Sequence, residues 1–275
     1  MNRICLILIL SVATAIAGPR GSFDALSIAA TTSYAAASGA TDKLPLCIWG
    51  AYTRQWGLWP HMVCWPLRSS QNAGTGSTAY SFGGLGTYNG TLVNGPTWGA
   101  MGVSADGIDD AITLSDITGG SGPYTIFSVS RTAVGAGPAG MPMSMGWSRG
   151  AYIRADMGVS GWATDVSNFG NQFASVSNLV FNAISFSGAP SGFRSYANGE
   201  NFFAELTHDY SDRLPGNGSY VQLCALRYSS GVPIENPFGG DLAMATLFTE
   251  ELTAGQHTTL YHLYKQTLGK GLGLP

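Results

Sequence analysis

Residues 124–150 have the sequence YTIFSVSRTAVGAGPAGMPMSMGWSRG, which decides between two classes of fold. The first eight residues are typical of a β-strand, and the glycines of VGAGPAG at 134–140 match the fingerprint of a dinucleotide-binding turn. That turn requires a helix directly after the glycines, because the helix N-terminus binds the pyrophosphate. Here Pro142, Gly146 and Gly150 follow, and each of them disfavours a helix. We therefore interpret 134–140 as a loop between strands and not as a cofactor site.

The chain on both sides of this loop consists of short apolar or alternating runs separated by glycine-rich turns. Nine runs are predicted to be strands: 62–67, 90–94, 111–116, 124–131, 150–157, 178–187, 192–199, 219–228 and 241–248. No helical pattern of ten or more residues separates two of them, so the strand–helix alternation of a doubly wound fold is missing from the pattern. The sequence predicts an all-β fold, in which two antiparallel sheets form a sandwich.

A helix is predicted only at the end of the chain, at LTAGQHTTLYHLYKQTLG (252–269). Thr253 and Gln256 have the spacing of a capping box, and Gly269 is a suitable C-cap. Apolar residues recur between them at helical spacing. The predicted sandwich therefore carries a short C-terminal helix.

The first 17 residues have the features of a secretory signal peptide. A short basic region with Arg3 precedes an apolar run from Ile4 to Ile16, and small residues precede a cleavage point after Ala17. The run is too short to span a bilayer as a mature helix. We expect a protein that is secreted or displayed on a cell surface, with no membrane segment after signal cleavage.

The remainder divides into two parts. Residues 18–60 are predicted to be an N-terminal extension or one added strand. They loosely echo the later stretch 105–131, which suggests a degenerate half-repeat, and the alternative is a low-complexity linker with one added strand. Residues 61–275 are predicted to be the sandwich domain, because the strand pattern begins at about residue 62.

The composition excludes one class of partner. Charged residues are 11% of the chain, against about a quarter in ordinary soluble domains, and the net charge is −3. The sequence contains no basic cluster that could neutralise a run of phosphates. We therefore expect no nucleic-acid binding.

Three cysteines remain after the predicted cleavage: Cys47, Cys64 and Cys224. An odd number in an exported protein permits one disulfide and one free thiol. The sequence does not decide the pairing, and the cysteines do not have zinc-site spacing.

Two patterns suggest hydrolases, and neither has the required context. Gly146-Trp147-Ser148-Arg149-Gly150 fits the nucleophile elbow, but the residues that follow do not have the pattern of the helix that the elbow needs. Glycosidases need two facing carboxyl groups, and no glutamate belongs to an E-x-D-x-E strand. The sequence thus favours a binding protein over an enzyme.

Several short motifs resemble the concanavalin A-like superfamily, and within it the laminin-G-like domains. The matching motifs are Trp65-Pro66-Leu67, Gly90-Thr91-Leu92, Trp98, Asp106-Gly107-Ile108-Asp109-Asp110, Tyr124-Thr125-Ile126, Asn198-Gly199 and Phe238-Gly239-Gly240-Asp241. They occur in the expected order over about 62–270. One departure is the strand after Tyr124, which continues FSVSR where the family more often has a tryptophan.

This resemblance implies a jelly-roll sandwich that serves as a binding or adhesion module. In such folds ligands bind at loop edges or on a concave sheet face, and some members bind calcium.

An acidic turn is the candidate for that metal. Asp106, Asp109 and Asp110 lie together beside Gly107, and three close carboxylates repel one another unless they are paired, capped or bound to a cation. Calcium takes hard oxygen ligands from such clusters. Alternatively, the side chains accept hydrogen bonds from local backbone amides. We therefore expect no cofactor, with calcium as the alternative.

A sugar site is predicted in the glycine-rich part of the chain. Trp147 and Trp162 are expected near loops, where an exposed ring stacks on the C–H face of a sugar. Arg149, Asp165 and Asn171 are near them in sequence and would bind sugar hydroxyls. The alternative is that these tryptophans pack in the core.

The sequence as a whole predicts an exported, non-catalytic module that binds carbohydrate or mediates surface adhesion. The expected partner is a glycan or a surface protein. The alternative is a structural or interaction module of a cell envelope or a phage-like particle, and a glycan-active hydrolase comes third.

Overall fold

A computed structural model of the chain describes residues 24–115, 117, 123–133, 140–145, 150–153, 160–163, 179–187, 193–204, 221–225 and 237–275. Within these ranges every strand pairing is antiparallel, and the strands form two sheets. The predicted signal peptide at 1–17 lies outside the described residues, as do positions 134–139 of the glycine motif. The predicted two-sheet antiparallel sandwich is confirmed.

The larger sheet has nine strands, numbered here in chain order. Across the sheet they are β14 (Glu200–Ala204), β13 (Phe193–Ala197), β12 (Val180–Phe186), β8 (Tyr124–Thr132), β16 (Gly239–Phe248), β1 (Met62–Pro66) and β3 (Phe82–Gly83), with β6 (Val103–Asp106) beside the start of β16 and β5 (Thr97–Trp98) beside β6.

The smaller sheet has seven strands and covers one face of the larger sheet. Its order is β11 (Ser160–Ala163), β10 (Gly150–Ile153), β9 (Met143–Met145), β15 (Val221–Leu223), β7 (Ala111–Leu114), β4 (Gly90–Val93) and β2 (Thr78–Ala79). Each of the nine predicted strands has its counterpart in one of the two sheets. The turn predicted at Asn198-Gly199 joins β13 to β14, and both residues have positive φ, as a tight hairpin requires.

Two hydrophobic cores lie on opposite faces of the larger sheet. Tyr124, Ile126 and Phe186 face the smaller sheet and pack in the inter-sheet core. On the other, outer face, Phe127 and Phe248 pack against helices. The larger sheet is therefore the middle layer of three.

Three α-helices and a short 3₁₀ helix form the outer layer. They are α1 (Ala25–Ser38), α2 (Lys43–Gln55), the 3₁₀ helix (Trp59–His61) and α3 (Ala254–Gln266). Trp49 of α2 is fully buried, with its ring centroid 6.2 Å from that of Phe127 and 6.4 Å from that of Tyr264 in α3. This one side chain joins the sheet and two helices.

Of the two alternatives for 18–60, the added strand is wrong within the described residues 24–60, because Ala25–Ser38 and Lys43–Gln55 form α1 and α2. The Asp24 side chain caps α1 by accepting a hydrogen bond from the Ser27 N–H at 2.6 Å. The apolar pattern did not predict this helix because α1 buries Ser27 and Thr31 while it exposes Leu26 and Ile28. The sequence similarity between 18–60 and 105–131 does not reflect a structural repeat. The described part of the first segment forms helices α1 and α2, whereas the second contains strands β6, β7 and β8.

The predicted C-terminal helix is confirmed as α3, and so is its capping box. The Gln256 side chain accepts a hydrogen bond from the Thr253 N–H at 2.8 Å, and the Thr253 hydroxyl accepts one from the Gln256 N–H at 3.3 Å.

None of Cys47, Cys64 and Cys224 forms a disulfide, and all three are buried. Burial raises the pKa of the Cys64 and Cys224 thiols, which keeps them protonated. The Cys64 thiol donates to the Phe82 carbonyl at 3.1 Å. The disulfide that the odd cysteine count permitted is therefore not formed among these three residues.

Trp49→Ala should destabilise the protein severely, because the helix layer loses the side chain that joins it to the sheet. The expected loss is about 3–5 kcal/mol in the free energy of unfolding, measured by urea denaturation. Leu26→Ala on the exposed face of α1 is the control and should change stability by less than about 0.5 kcal/mol. Equal losses in the two variants would contradict this role of Trp49.

Candidate functional site at the open end of the larger sheet

Three polar side chains lie in a row across neighbouring strands of the larger sheet. Asp241 of β16 is directly opposite Arg131 of β8 on one side and Ser104 of β6 on the other. Ser104 alternates along β6 with Val103 and Ala105, whose side chains belong to the inter-sheet core. Since side chains alternate between the faces of a strand, the row lies on the outer face of the sheet.

Arg131 and Ser104 share the Asp241 carboxylate. The Arg131 Nε donates to Asp241 Oδ2 at 3.1 Å, Arg131 Nη2 also donates to this oxygen, and the Ser104 hydroxyl donates to Oδ1. The side chain of Arg131 is 39% exposed and that of Asp241 is 15% exposed. Arg131 and Asp241 therefore form an ion pair that solvent reaches, and Ser104 is hydrogen-bonded to it.

The row forms the wall of a groove of about 340 Å³. It is lined by Ser104, Ala105, the end of β8 at 131–133, Gly240 and Asp241. Gly240 has φ +150°, and a Cβ at this position would lie 2.1 Å from the Arg131 carbonyl oxygen. Only glycine lets the two backbones approach this closely beside the groove.

The acidic turn lies at the end of β6, next to this groove. Asp106 Oδ1 accepts a hydrogen bond from the Ile108 N–H at 2.8 Å, and Asp110 Oδ2 accepts one from the Asp106 N–H at 2.9 Å. The Asn94 side chain donates to the Asp109 carbonyl at 2.8 Å. These bonds confirm the predicted backbone capping for one oxygen each of Asp106 and Asp110.

The structure also brings the three predicted metal ligands together. One carboxylate oxygen from each of Asp106, Asp109 and Asp110 lies within 4.8 Å of the other two. Asp106 and Asp109 are exposed, whereas Asp110 is buried. Burial raises the pKa of Asp110, and the negative charges of Asp106 and Asp109 raise it further. The hydrogen bond from the Asp106 N–H lowers this pKa, but the net shift is upward. Such a set of hard oxygen donors suits calcium.

Of the five residues predicted to bind sugar, the described ranges include Trp162. Trp147, Arg149, Asp165 and Asn171 lie outside the described residues. Trp162 is placed in β11 of the smaller sheet, which the structure describes by its backbone. This sugar site stays a prediction.

The sequence interpretation missed Ser104, Arg131 and Asp241 as a group. Arg131 was the last residue of one predicted strand, and Asp241 was the first residue of another. A charged residue at the end of a buried strand is a usable signal, because charges are rarely buried without a partner.

A hydrogen-bonded serine and histidine lie elsewhere, inside the protein. The Ser185 hydroxyl is 2.7 Å from His257 Nε2 and 2.7 Å from the Thr125 hydroxyl, and Thr125 accepts a hydrogen bond from the Leu252 N–H at 3.0 Å. His257 is fully buried and stacks on Tyr196. Because no substrate reaches these buried atoms, we assign this network to the docking of α3.

Comparisons with known proteins support the fold. No protein-family model and no curated protein sequence matches the chain. A mutant Trypanosoma rangeli sialidase with trans-sialidase activity has a TM-score of 0.55 at 12% identity, over 89% of this chain and 38% of the sialidase. The same organism's sialidase in complex with 2,3-difluorosialic acid has a TM-score of 0.53 at 11% identity, over 74% and 33%.

The chain thus spans little more than a third of these sialidases. A carbohydrate-binding module of a Ruminococcus gnavus sialidase, bound to α2,3-sialyllactose, has a TM-score of 0.43 at 16% identity, over 57% of this chain and 96% of the module. A TM-score this low marks only a loose similarity, so this match is no evidence for the fold or the function of the chain. At these identities the likeness to the sialidases concerns the fold alone.

Across the part of the chain that the structure describes, no helix has both the length and the apolar character that a membrane span requires.

His257 should make the protein sensitive to acid. Burial lowers the pKa of His257 to about 3, whereas the histidine of an unfolded chain titrates near 6.5. Between these values the unfolded chain binds a proton that the folded chain does not, so stability is lost as the pH falls from about 6.5 towards 3. We expect up to about 1.4 kcal/mol of loss per pH unit from this residue.

The measurement is the free energy of unfolding of His257→Gln and of the wild type at several pH values from 7 to 4. The variant should lose less stability with acid than the wild type does. His262→Gln, which changes an exposed residue of the same helix, should follow the wild type. Parallel curves for all three proteins would rule out the role of His257.

Proposed function

We propose that the chain is an exported, non-catalytic carbohydrate-binding module of the laminin-G-like class, and that the groove beside Arg131 and Asp241 holds the sugar. The observation that carries this proposal is an ordered ion pair at the wall of a groove that solvent reaches. The sandwich fold and the motifs that resemble laminin-G-like domains support the class.

The chemistry of the groove suits hydroxyl groups. Arg131 has five N–H donors, and those on Nε and Nη2 that bond Asp241 leave others for a ligand. Asp241 Oδ2 already accepts from both Arg131 Nε and Nη2, whereas Oδ1 accepts from Ser104 and has a second lone pair that accepts a hydrogen bond from a sugar hydroxyl. Because the pair is neutral as a whole, it suits a polar uncharged ligand better than a phosphate. The groove volume is at the small end for ligand pockets, as expected for a short part of a glycan.

A non-catalytic role agrees with the number of acidic residues that line the groove. Asp241 is the single acid among the described residues that line the groove, and the three carboxylates of the neighbouring acidic turn are not part of this lining. Most glycosidases use two carboxyl groups about 5–9.5 Å apart.

Export and surface display rest on the N-terminal sequence. An apolar run after a basic residue, with small residues at 15 and 17, favours secretion. The buried thiols are compatible with an oxidising compartment, because inaccessible thiols do not exchange. A structural or adhesive module of a cell surface or a phage-like particle is the alternative, and such a module would show no glycan binding.

Arg131→Gln should weaken glycan binding by about 10- to 100-fold, since hydrogen bonds to charged groups contribute about 1.5–3 kcal/mol each. The measurement is a glycan array, followed by titration of the glycan that the wild type binds most strongly. Arg194→Gln is the matched control. Arg194 belongs to the same sheet, is exposed to a similar degree (36% against 39% for Arg131), and pairs with Glu251 at 3.5 Å.

The control should retain wild-type binding. Loss of binding in Arg194→Gln alone, or an array with no bound glycan, would disprove the proposed site. A hydrolysis screen on the bound glycans should release no sugar, and released sugar would make the protein an enzyme.

Trp147→Ala tests the sugar site that the sequence predicts outside the described residues. If Trp147 stacks on a sugar ring, its loss should weaken array binding by about 10-fold or more, while the melting temperature stays close to that of the wild type. Full binding by Trp147→Ala together with loss in Arg131→Gln would assign recognition to the groove.

A further inference from the structure

The chain contains the acceptor sequence for N-linked glycosylation, Asn89-Gly90-Thr91, at the start of β4. An Asn-Gly pair is also typical of a tight hairpin turn, which requires positive φ at both residues. Neither Asn89 nor Gly90 has a positive φ, in contrast to the turn at 198–199. The pair at 89–90 is therefore not a tight turn of this kind.

Gly90 is required here for packing, and its orientation fixes that of its neighbours. It is buried, and a Cβ at this position would lie 2.6 Å from Ile112 Cγ2 and 2.7 Å from Leu114 Cδ2 in the inter-sheet core. Because side chains alternate along an extended chain, Asn89 and Thr91 point away from that core. Both are exposed, so the two residues that the acceptor sequence requires face solvent together.

The Asn89 side chain is held by its oxygen and free at its nitrogen. Oδ1 accepts hydrogen bonds from the Ser81 N–H at 2.9 Å and from the Ser81 hydroxyl at 3.3 Å. Within the described residues Nδ2 makes no hydrogen bond to the protein. Glycosylation replaces one hydrogen of Nδ2 and leaves Oδ1 unchanged. The folded protein therefore keeps both bonds from Ser81 when a glycan is attached.

The attachment point lies at a side of the sandwich where both sheets end. The strand order of the smaller sheet ends at β2, and that of the larger sheet ends at β3. Asn89 precedes Gly90, which is opposite Ala79 of β2, and its partner Ser81 directly precedes β3. An edge strand presents unpaired backbone N–H and C=O groups, with which another chain can pair. A glycan on Asn89 would cover both edges.

We infer that Asn89 is an N-glycosylation site and that its glycan shields the edges at β2 and β3 from association with other chains. In the reaction Nδ2 attacks the anomeric carbon of an oligosaccharide that is carried on a lipid diphosphate. The bond between that carbon and the diphosphate oxygen breaks, the lipid diphosphate leaves, and Nδ2 loses a proton. The export pathway supplies the lipid-linked oligosaccharide and the transferase. The site rests on the export that belongs to the proposed function, but it does not depend on carbohydrate binding.

The test expresses the full chain in eukaryotic cells and analyses the peptides of the secreted protein by mass spectrometry. The peptide with Asn89 should carry a glycan, which peptide-N-glycosidase F releases while it converts the asparagine to aspartate. A sample without this enzyme controls for spontaneous deamidation at the Asn-Gly bond. Asn217 has an acceptor sequence too and lies outside the described residues, so its peptide is read separately.

Thr91→Ala should lose the glycan at Asn89 completely, because it removes the hydroxyl of the acceptor sequence. Thr91→Ser is the matched control, since it keeps a hydroxyl at the same exposed position and should retain the glycan. If the chain is not secreted, a known secretory leader in place of residues 1–17 separates a failure of export from a failure of the site. An unmodified Asn89 peptide in the secreted protein, or a glycan that persists in Thr91→Ala, would overturn the site.

The shield is tested by self-association, measured by light scattering. Asn89→Asp removes Nδ2 but keeps an oxygen that accepts both bonds from Ser81, so the fold should stay intact. Asn89→Asp and Thr91→Ala should self-associate at about 10-fold lower protein concentration than the glycosylated wild type and Thr91→Ser. A glycan on Asn89 with equal self-association in all four proteins would overturn the shield. Neither outcome depends on the result of the glycan array.

Discussion

The position of Asp241 depends on a β-bulge in strand β16. Leu242 pairs with Ser130 of β8, but the next pair is Met244 with Val129, so Ala243 is an extra residue. Strand faces alternate residue by residue, and one extra residue exchanges them. If side chains alternated strictly between the two faces from Met244 back to Asp241, Asp241 would point into the apolar core between the sheets. The bulge instead directs it to the outer face, beside Arg131, and leaves Leu242 in the core.

The same strand divides the outer face of the sheet into two regions. Past the bulge, Met244 and Phe248 lie under the helices in one apolar core. Before the bulge, Asp241 and its neighbours face solvent. The buried region contributes stability, and the open region keeps charged groups that the core would not accommodate without a cost. A single irregularity thus separates the part of the sheet that holds the fold from the part that is free to bind.

The sequence predicted the strands well and the helix layer poorly, for one physical reason. A run such as 178–187 shows its strand character locally, because apolar and β-branched residues between turns suit a pleated buried sheet. Helix α1 lacks the amphipathic pattern, since Ser27 and Thr31 point inwards and Leu26 and Ile28 point outwards. The acidic turn was predictable because its members are adjacent in sequence. The groove was not, because Ser104, Arg131 and Asp241 meet only through strand pairing over as many as 137 positions.

The buried polar groups show why an open site is needed for any chemistry in the described part of the chain. The hydroxyls of Thr125 and Ser185, together with His257, form a chain of hydrogen bonds, yet all three residues are fully buried. Burial keeps His257 neutral, so the network resembles a nucleophile and a base. Solvent does not reach it, and among the described residues no group binds Nδ1 to orient the ring. The network joins His257 of α3 to Ser185 and Thr125 of the larger sheet, so its role is to hold α3 on the sheet. The end of β16, where the charged groups are exposed to solvent, is therefore the site that we propose for recognition.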